Sequence, residues 1–369
     1  MKVKLTLLAL SGFLAGLGFI LRPPLEWRFA VPVVVSDAGQ ATFQTVFNYQ
    51  SPIGTAHAPA IDLTEDGFDL IWFDGVRESS NDVRIFRAQL REDVNGWQAS
   101  APVPVLSRQS ITAAMTPPQT VLTLGNTVEF DRNPGDYLAT IVSVGGWAMS
   151  SVAAVDMVDD VAAWARKLNL SPLLNRSYLV KSPMVAFEDG IDGLPVYFEL
   201  GNVFGALARV DHKGRVRAKS RMVGNLDGIQ PALVVTDPLN AVALLRNFDD
   251  KNDRLLASWT YDGGKNWTTP EALAVPNPNA PVAALRLPGG RILMVFNDDP
   301  SRSDRLRLAV SDDGGRVLIK CAVLEEGGGA ARYPAMRYLP DGRIVLVYSV
   351  GGKTGIRAHV FTQSWATGE

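Results

Sequence analysis

The feature that most constrains this chain is a unit that recurs six times beyond residue 50. Each unit begins with a proline after a small or polar residue, then gives an alternating apolar strand, a Gly or Asp turn and a second apolar strand. The prolines stand at positions 59, 118, 183, 231, 281 and 334, a mean period of about 55 residues. A single four-stranded sheet cannot bury both of its faces, so units of this size stack radially. The spacing predicts an all-β, six-bladed β-propeller over residues 51–369, with its weakest unit at 117–142.

A second repeat supports the blades. Residues 260–267 fit the Asp-box pattern Ser/Thr-x-Asp-x-Gly-x-x-aromatic, and residues 311–318 fit it except at the last position. Trp97 and Trp164 end decayed versions of the same pattern. We expect these segments to be structural turns, in which the carboxylate accepts from backbone N–H groups and glycine takes a positive φ. Residues 159–168 are the one segment that we expect to form a helix.

Composition excludes several classes of function. The formal net charge is −2, with 36 Lys+Arg against 38 Asp+Glu, which argues against a nucleic-acid partner. The single cysteine, Cys321, excludes an intrachain disulfide and a multi-cysteine metal site. Three histidines, in no metal-binding spacing, give no support for a metal, and no cofactor is expected.

The N-terminus has the pattern of an export signal. Lys2 and Lys4 precede residues 5–21, which carry no charge, and Arg22-Pro23-Pro24 follows. This pattern predicts that residues 1–24 form an uncleaved signal-anchor helix or a cleaved signal peptide, with the body outside the cytoplasm. A buried core helix is the alternative. Residues 25–50 are then a linker or first outer strand.

Asp boxes on a six-fold repeat resemble the sialidase (neuraminidase) superfamily, and more closely its bacterial BNR-repeat, sialidase-like members. Together with the N-terminal pattern, this resemblance to bacterial members predicts a bacterial cell-envelope protein, anchored in the inner membrane with the propeller on the periplasmic side, or else secreted. It also implies site residues by position: His57, Arg77, Asp82, Gln230, Arg246, Arg305 and Tyr333.

The resemblance gives most of these positions a role. Asp82, five residues after Arg77, corresponds to the acid/base. Arg246 and Arg305 correspond to two of the three arginines that hold the substrate carboxylate. Tyr333 corresponds to the nucleophile.

Two positions depart from the family pattern. His57 replaces the third arginine, and Gln230 replaces the glutamate that takes the proton of the tyrosine. Phenol is a poor nucleophile at its usual pKa near 10, and an amide cannot act as its base. We expect His57 to assist anion binding if it is protonated, which nearby carboxylates would favour.

Other residues are candidates from their places in the repeats. Glu78 is a substitute acid, and Glu199 with Tyr197 is a candidate base at the end of the third inner hairpin. Asn277 and Trp147 are candidate walls for a sugar.

The resulting hypothesis is an exported, sialidase-like glycoside hydrolase acting on an acidic sugar, namely sialic acid or a related nonulosonate or uronate. A non-catalytic glycan-binding scaffold and a polysaccharide lyase, with Tyr333 or Tyr197 as base, stay open as alternatives. The expected partners are an acidic glycan and, through the N-terminal segment, a membrane.

Overall fold

The structure is a computed structural model that describes residues 24–37, 40–130, 135–172, 175–249 and 253–368, without the side chains of residues 320 and 321. The described residues form 25 strands in six sheets. Each sheet is antiparallel and four-stranded at its core, and the first has an added strand. The six-bladed β-propeller predicted from the repeat spacing is confirmed.

The blades follow the chain order. Strand β1 is Phe43–Gln50. Blade 1 contains β2 (Thr55–Thr64), β3 (Gly67–Gly75), β4 (Arg84–Asp93), β5 (Gly96–Ala99) and β6 (Val103–Ser107). Blade 2 contains β7 (Thr123–Glu129), β8 (Tyr137–Val142), β9 (Ser150–Val158) and β10 (Val161–Lys167). Blade 3 contains β11 (Tyr178–Val180), β12 (Asp192–Phe198), β13 (Phe204–Val210) and β14 (Val216–Met222).

The second half repeats the arrangement. Blade 4 contains β15 (Gly228–Val235), β16 (Ala241–Asn247), β17 (Arg254–Thr260) and β18 (Glu271–Pro276). Blade 5 contains β19 (Ala283–Arg286), β20 (Ile292–Phe296), β21 (Leu306–Ser311) and β22 (Ile319–Glu325). Blade 6 contains β23 (Arg332–Tyr338), β24 (Ile344–Val350) and β25 (Gly355–Phe361), and β1 pairs with β25 as its outer strand. The described residues also form two α-helices, α1 (Arg108–Ala114) and α2 (Gln363–Thr367).

A bulge recurs where the innermost strands begin. In blades 1, 4 and 6 the register shifts across Ala58-Pro59, Gln230-Pro231 and Tyr333-Pro334. The residue before each proline has a positive φ, of 52°, 51° and 59° respectively. A bulge tolerates a proline because it interrupts the ladder of N–H donors. Positive φ is unfavourable for a residue with a side chain and is concentrated at functional sites.

Both Asp boxes fold as predicted. Asp262 Oδ1 accepts from the Asn266 amide at 2.9 Å, and the Thr260 hydroxyl accepts from the Gly264 amide at 2.9 Å. In the second box Asp313 Oδ1 accepts from the Val317 amide at 2.8 Å. These contacts lie inside the turns themselves, so the boxes stabilise the blade and do not form a ligand site.

A strap, defined as residues 24–37, crosses the face opposite the bulges. Phe29 is fully buried against Phe187, with ring centroids 4.6 Å apart. At the other end the side-chain amide of Gln363, in α2, donates to the Val35 carbonyl at 2.7 Å. The strap therefore runs from blade 3 to blade 6.

Several predictions need correction. The segment expected to be helical, 159–168, forms β10, whose Ala162 and Ala165 are buried in the sheet. The inner strand of blade 2 starts at Thr123 and not at the proline pair, because α1 and its following turn occupy that stretch. The predicted signal or anchor helix falls outside the described residues. Within the described part of the chain, no helix combines the length and apolar composition needed to cross a bilayer.

Candidate functional site

The starts of the innermost strands and the ends of the strands paired with them meet at one mouth of the central channel, here called the funnel. The register pairs His57 with Phe73, Ile229 with Arg246 and Arg332 with Ser349. Antiparallel pairing therefore brings residues that are distant in sequence to the same face of the propeller.

Arg246 is the centre of the funnel network. Its Nε donates to Asn279 Oδ1 at 2.6 Å, and its NH1 donates to Gln230 Oε1 at 3.1 Å and to the Tyr333 hydroxyl at 3.3 Å. It is partly buried at the end of β16. All three partners are uncharged, so its positive charge is not neutralised by these contacts.

The hydrogen bonds fix the orientation of the Gln230 amide. Arginine has no acceptor, so the atom facing Arg246 must be the oxygen. Gln230 Nε2 then donates to the Tyr197 hydroxyl at 3.1 Å and to the Tyr333 hydroxyl at 3.2 Å. The Tyr333 oxygen thus receives two donors. Both would stabilise a phenolate, and neither can remove the proton.

His57 lies beneath Tyr333, with ring centroids 4.3 Å apart. It is fully buried, and its Nδ1 is 2.8 Å from the Ser349 hydroxyl. Burial, assisted by the positive charges of Lys353, Arg332 and Arg246, holds the pKa of His57 well below its usual value. The protonated imidazole on which the predicted anion-binding role of His57 depends is therefore disfavoured, because burial and neighbouring cations oppose its charge, and the role itself stays a prediction.

Glu199 is the carboxylate with the properties of a proton donor. Burial raises its pKa, the negative charge of Glu78 adds to the rise, and Arg246 and Trp147 oppose it. Trp147 lies against Gly125, where an added Cβ would come within 2.3 Å of the indole ring. Tyr197 is buried beside this group and also accepts from Asn126 at 3.2 Å. The structure thus brings these sequence-predicted residues together.

Arg332 is a funnel residue that the sequence reasoning missed. Its NH2 donates to the Pro278 carbonyl at 3.3 Å, and its buried Nε has no hydrogen-bond partner among the described residues. Burial and the positive charge of Arg246 lower its pKa, and Tyr333 opposes this shift. The available signal was the Arg-Tyr-Pro triplet at the start of the sixth repeat.

The loop after β3, which carries Arg77, Glu78 and Asp82, makes few hydrogen bonds with the Arg246 network. Asp82 accepts from the Ser80 hydroxyl and from the Val76 amide, at 2.7 Å for the amide. These two hydrogen bonds lower the pKa of Asp82, which favours its ionised form. Glu78 pairs with Lys353 at 2.8 Å, bridging blades 1 and 6, and Arg77 is exposed. An ionised Asp82 that caps its own loop is poorly suited to donate a proton, and its role stays a prediction.

Two predicted binding residues have structural partners instead. Arg305 pairs with Asp298 at 3.1 Å, and the Asp298 side chain is only 1% exposed. Asn277 is buried; its Nδ2 donates to the Ala280 carbonyl at 2.8 Å, and its Oδ1 accepts from the Ala280 amide. These contacts hold Arg305 to carboxylates of its own loop and Asn277 to Ala280, and their roles as clamp and wall stay predictions. Asn279 contacts Arg246.

The funnel thus offers two guanidinium groups, an acid with a raised pKa, two tyrosine hydroxyls and an indole. In the described part of the chain, no cluster of three or more His, Cys, Asp or Glu residues has the arrangement of a metal site. Cations beside a protonatable carboxylate are suited to binding an anion and transferring a proton to it.

The fold and the funnel define a six-bladed propeller with a polar, cationic channel mouth. Residues 67–348 match the BNR repeat-like domain, and the chain belongs to this family. No functionally curated protein has detectable sequence similarity to it.

Solved structures extend the likeness to sialidases. A protein of unknown function from Dyadobacter fermentans has a TM-score of 0.64 at 16% identity, covering 87% of this chain and 99% of that one. A Hadza microbial sialidase has a TM-score of 0.62 at 14% identity, covering 82% and 65%. A Trypanosoma rangeli sialidase in complex with the inhibitor DANA has a TM-score of 0.61 at 12% identity, covering 92% and 59%. The chain thus spans less than two thirds of the length of either sialidase, and at these identities the likeness concerns the fold.

Proposed function

We propose that the funnel binds an acidic sugar and that the protein is an exo-acting glycoside hydrolase of sialidase type. The observation that carries the proposal is the pair Arg246 and Arg332. Both are partly buried and face one site, and neither forms an ion pair with a described residue. Buried charges are normally paired, because leaving water costs several kcal/mol. A carboxylate on the ligand would supply the missing charge, and this supports sialic acid or a related nonulosonate or uronate as substrate.

Glu199 is the acid/base in this proposal. Its raised pKa keeps the carboxyl protonated over a wider pH range, so it can donate to the glycosidic oxygen. Activity should fall as pH rises through that raised pKa. As the glycosidic oxygen takes the proton, its bond to the anomeric carbon breaks; the Glu199 carboxylate then takes a proton from the water whose oxygen bonds to that carbon. The sequence-predicted nucleophile Tyr333 lies next to both arginines.

The test is to incubate the purified protein with sialosides, nonulosonates and uronic-acid polymers and to identify products by mass spectrometry. We expect release of a free acidic sugar and a loss of at least about 100-fold in the Glu199→Gln variant. Asp82→Asn is the matched control and should retain most of the activity. A larger loss of activity in Asp82→Asn than in Glu199→Gln would identify Asp82 as the acid. Full activity in Tyr333→Phe would exclude a covalent intermediate on Tyr333.

A specific observation favours a second function. Gln230 donates to Tyr333 where a hydrolase of this type needs an acceptor, and a glycan-binding propeller has no such need. Retention of an acidic glycan without any product would identify this function. An unsaturated product would instead identify a lyase.

The location is also a proposal. We propose that the chain is exported to the bacterial cell envelope, because Lys2 and Lys4 precede an uncharged apolar stretch at 5–21. Fractionation of cells, followed by N-terminal sequencing, distinguishes an anchored from a cleaved form. Full-length protein in the cytosolic fraction would overturn the proposal.

A further inference from the structure

A second cavity lies in the central channel, on the side of the strap. It has a volume of about 230 Å³ and takes its walls from five blades. Its side chains are mainly apolar, and Pro32 and Val33 of the strap lie at its rim; the walls include Leu63, Met184, Leu233 and Leu285. It is separate from the funnel, because neither Arg246 nor Tyr333 lines it.

The polar end of this cavity is built from Lys181 and Ser182, where the inner strand of blade 3 breaks off. Lys181 is 5% exposed, and its ammonium reaches across the channel to the carbonyls of Val282, at 3.2 Å, and Pro334. These contacts use two of its three donors. Ser182 is 3% exposed, and its Oγ has no hydrogen-bond partner among the described residues.

Among the described residues that line the cavity there is no carboxylate, so these features leave a buried cation facing an apolar space. Burial lowers the pKa of Lys181 to about 7, which shows how poorly the surroundings stabilise its charge. The nearby Glu129 is already held by Arg337. A ligand that brings a carboxylate to Lys181 and an apolar chain to the walls would satisfy both the charge and the shape.

We propose that this cavity binds a small aliphatic carboxylic acid, whose carboxylate accepts hydrogen bonds from Lys181 and Ser182 and whose chain lies along the apolar walls. The volume lies below that of a typical drug-sized pocket, so the ligand is a short- to medium-chain acid. This site is independent of the funnel and of its proposed substrate.

The test uses octanoate, with octanol as the uncharged analogue, in isothermal titration calorimetry with the purified protein. We expect octanoate to bind at least tenfold more tightly than octanol, and Lys181→Met to remove at least tenfold of its affinity. Lys265→Met, at an exposed Asp-box lysine, is the matched control and should bind as the unchanged protein does. Equal affinities in the two lysine variants, or no binding of octanoate, would overturn the proposal.

A second measurement needs no variant. With methyl-labelled methionine, octanoate should give nuclear Overhauser contacts to Met184 and Met336, which line the cavity. Met157, on the outer part of blade 2, is the internal control. Contacts to none of the methyl groups would show that the cavity holds only water.

Discussion

Exchanging Arg246 and Arg305 for methionine separates ligand binding from folding. The resemblance makes both arginines candidates for the clamp, but the structure gives them opposite surroundings. Among the described residues Arg246 donates to uncharged groups, whereas Arg305 neutralises the buried Asp298. Methionine keeps much of the apolar stem and removes the charge.

The magnitudes follow from these contacts. A bidentate arginine–carboxylate contact, at about 1.5–3 kcal/mol for each charged hydrogen bond, predicts that Arg246→Met weakens binding of an acidic sugar by roughly 100-fold or more. Its folding stability should change by only about 1–2 kcal/mol, since the lost hydrogen bonds are partly offset by relief of an unpaired buried charge. Arg305→Met should lose about 1–3 kcal/mol of stability, because the buried Asp298 loses one of the arginines that neutralise it while Arg307 stays at 2.9 Å, and the affinity should stay within about threefold.

Calorimetric titration with the acidic sugar identified by the glycan panel measures the affinities, and chemical denaturation measures the stabilities. The reasoning fails if Arg305→Met, still folded, loses as much affinity as Arg246→Met. It also fails if Arg246→Met binds the sugar normally.

The remaining predictions concern the base, the acid limit of stability and the strap. Gln230→Glu should replace a donor to the Tyr333 hydroxyl with a carboxylate that accepts its proton. The rate of hydrolysis, measured by product release, should rise by about 100-fold or more. An unchanged rate would show that Tyr333 is not activated in this way. Burial, together with the positive charge of Arg357, lowers the pKa of His359 from 6.5 to about 4, so the unfolded chain binds this proton more tightly than the folded protein does. The free energy of unfolding should therefore fall by about 3 kcal/mol as the pH falls from 6.5 to about 4. Urea titrations should show a shallower pH dependence in His359→Gln, and an unaltered slope would contradict the assignment. Gly263→Ala should be much more destabilising than Gly190→Ala, although both glycines have a positive φ. A Cβ at position 263 would lie 1.7 Å from the Trp27 carbonyl oxygen of the strap, whereas a Cβ at position 190 would face open space. Equal denaturation midpoints for the two variants would show that the strap is not held against Gly263.

The fold could be predicted because its signal is repeated. In blades 1, 4 and 6 the bulge at the start of the inner strand favours a proline, so the regular spacing of the prolines reveals the repeat without any knowledge of side-chain packing. The one false helix, at 159–168, lies in a blade whose repeat has decayed, where alternation between the buried Ala162 and Ala165 and their exposed neighbours is weak.

The site could be predicted only where a position in the repeat determines the contact. Gln230, Arg246 and Tyr333 occupy such positions and do meet. Arg305 could not be distinguished from Arg246, because pairing with Asp298 depends on the side-chain geometry of one loop. Arg332 was missed because strand alternation would turn it away from Tyr333, whereas the bulge lets adjacent residues approach the same funnel.

The pairing of β1 with β25 sets the order in which the protein can mature. The first strand of the ring, β1, finds its partner in residues 355–361, after all the other blades have been made. Until those residues are made, blade 6 lacks its neighbour and Tyr333 has no fixed place beside His57. The ring therefore cannot close until residues 355–361 have left the ribosome, and the unpaired edge of β1 stays open to chaperones until then.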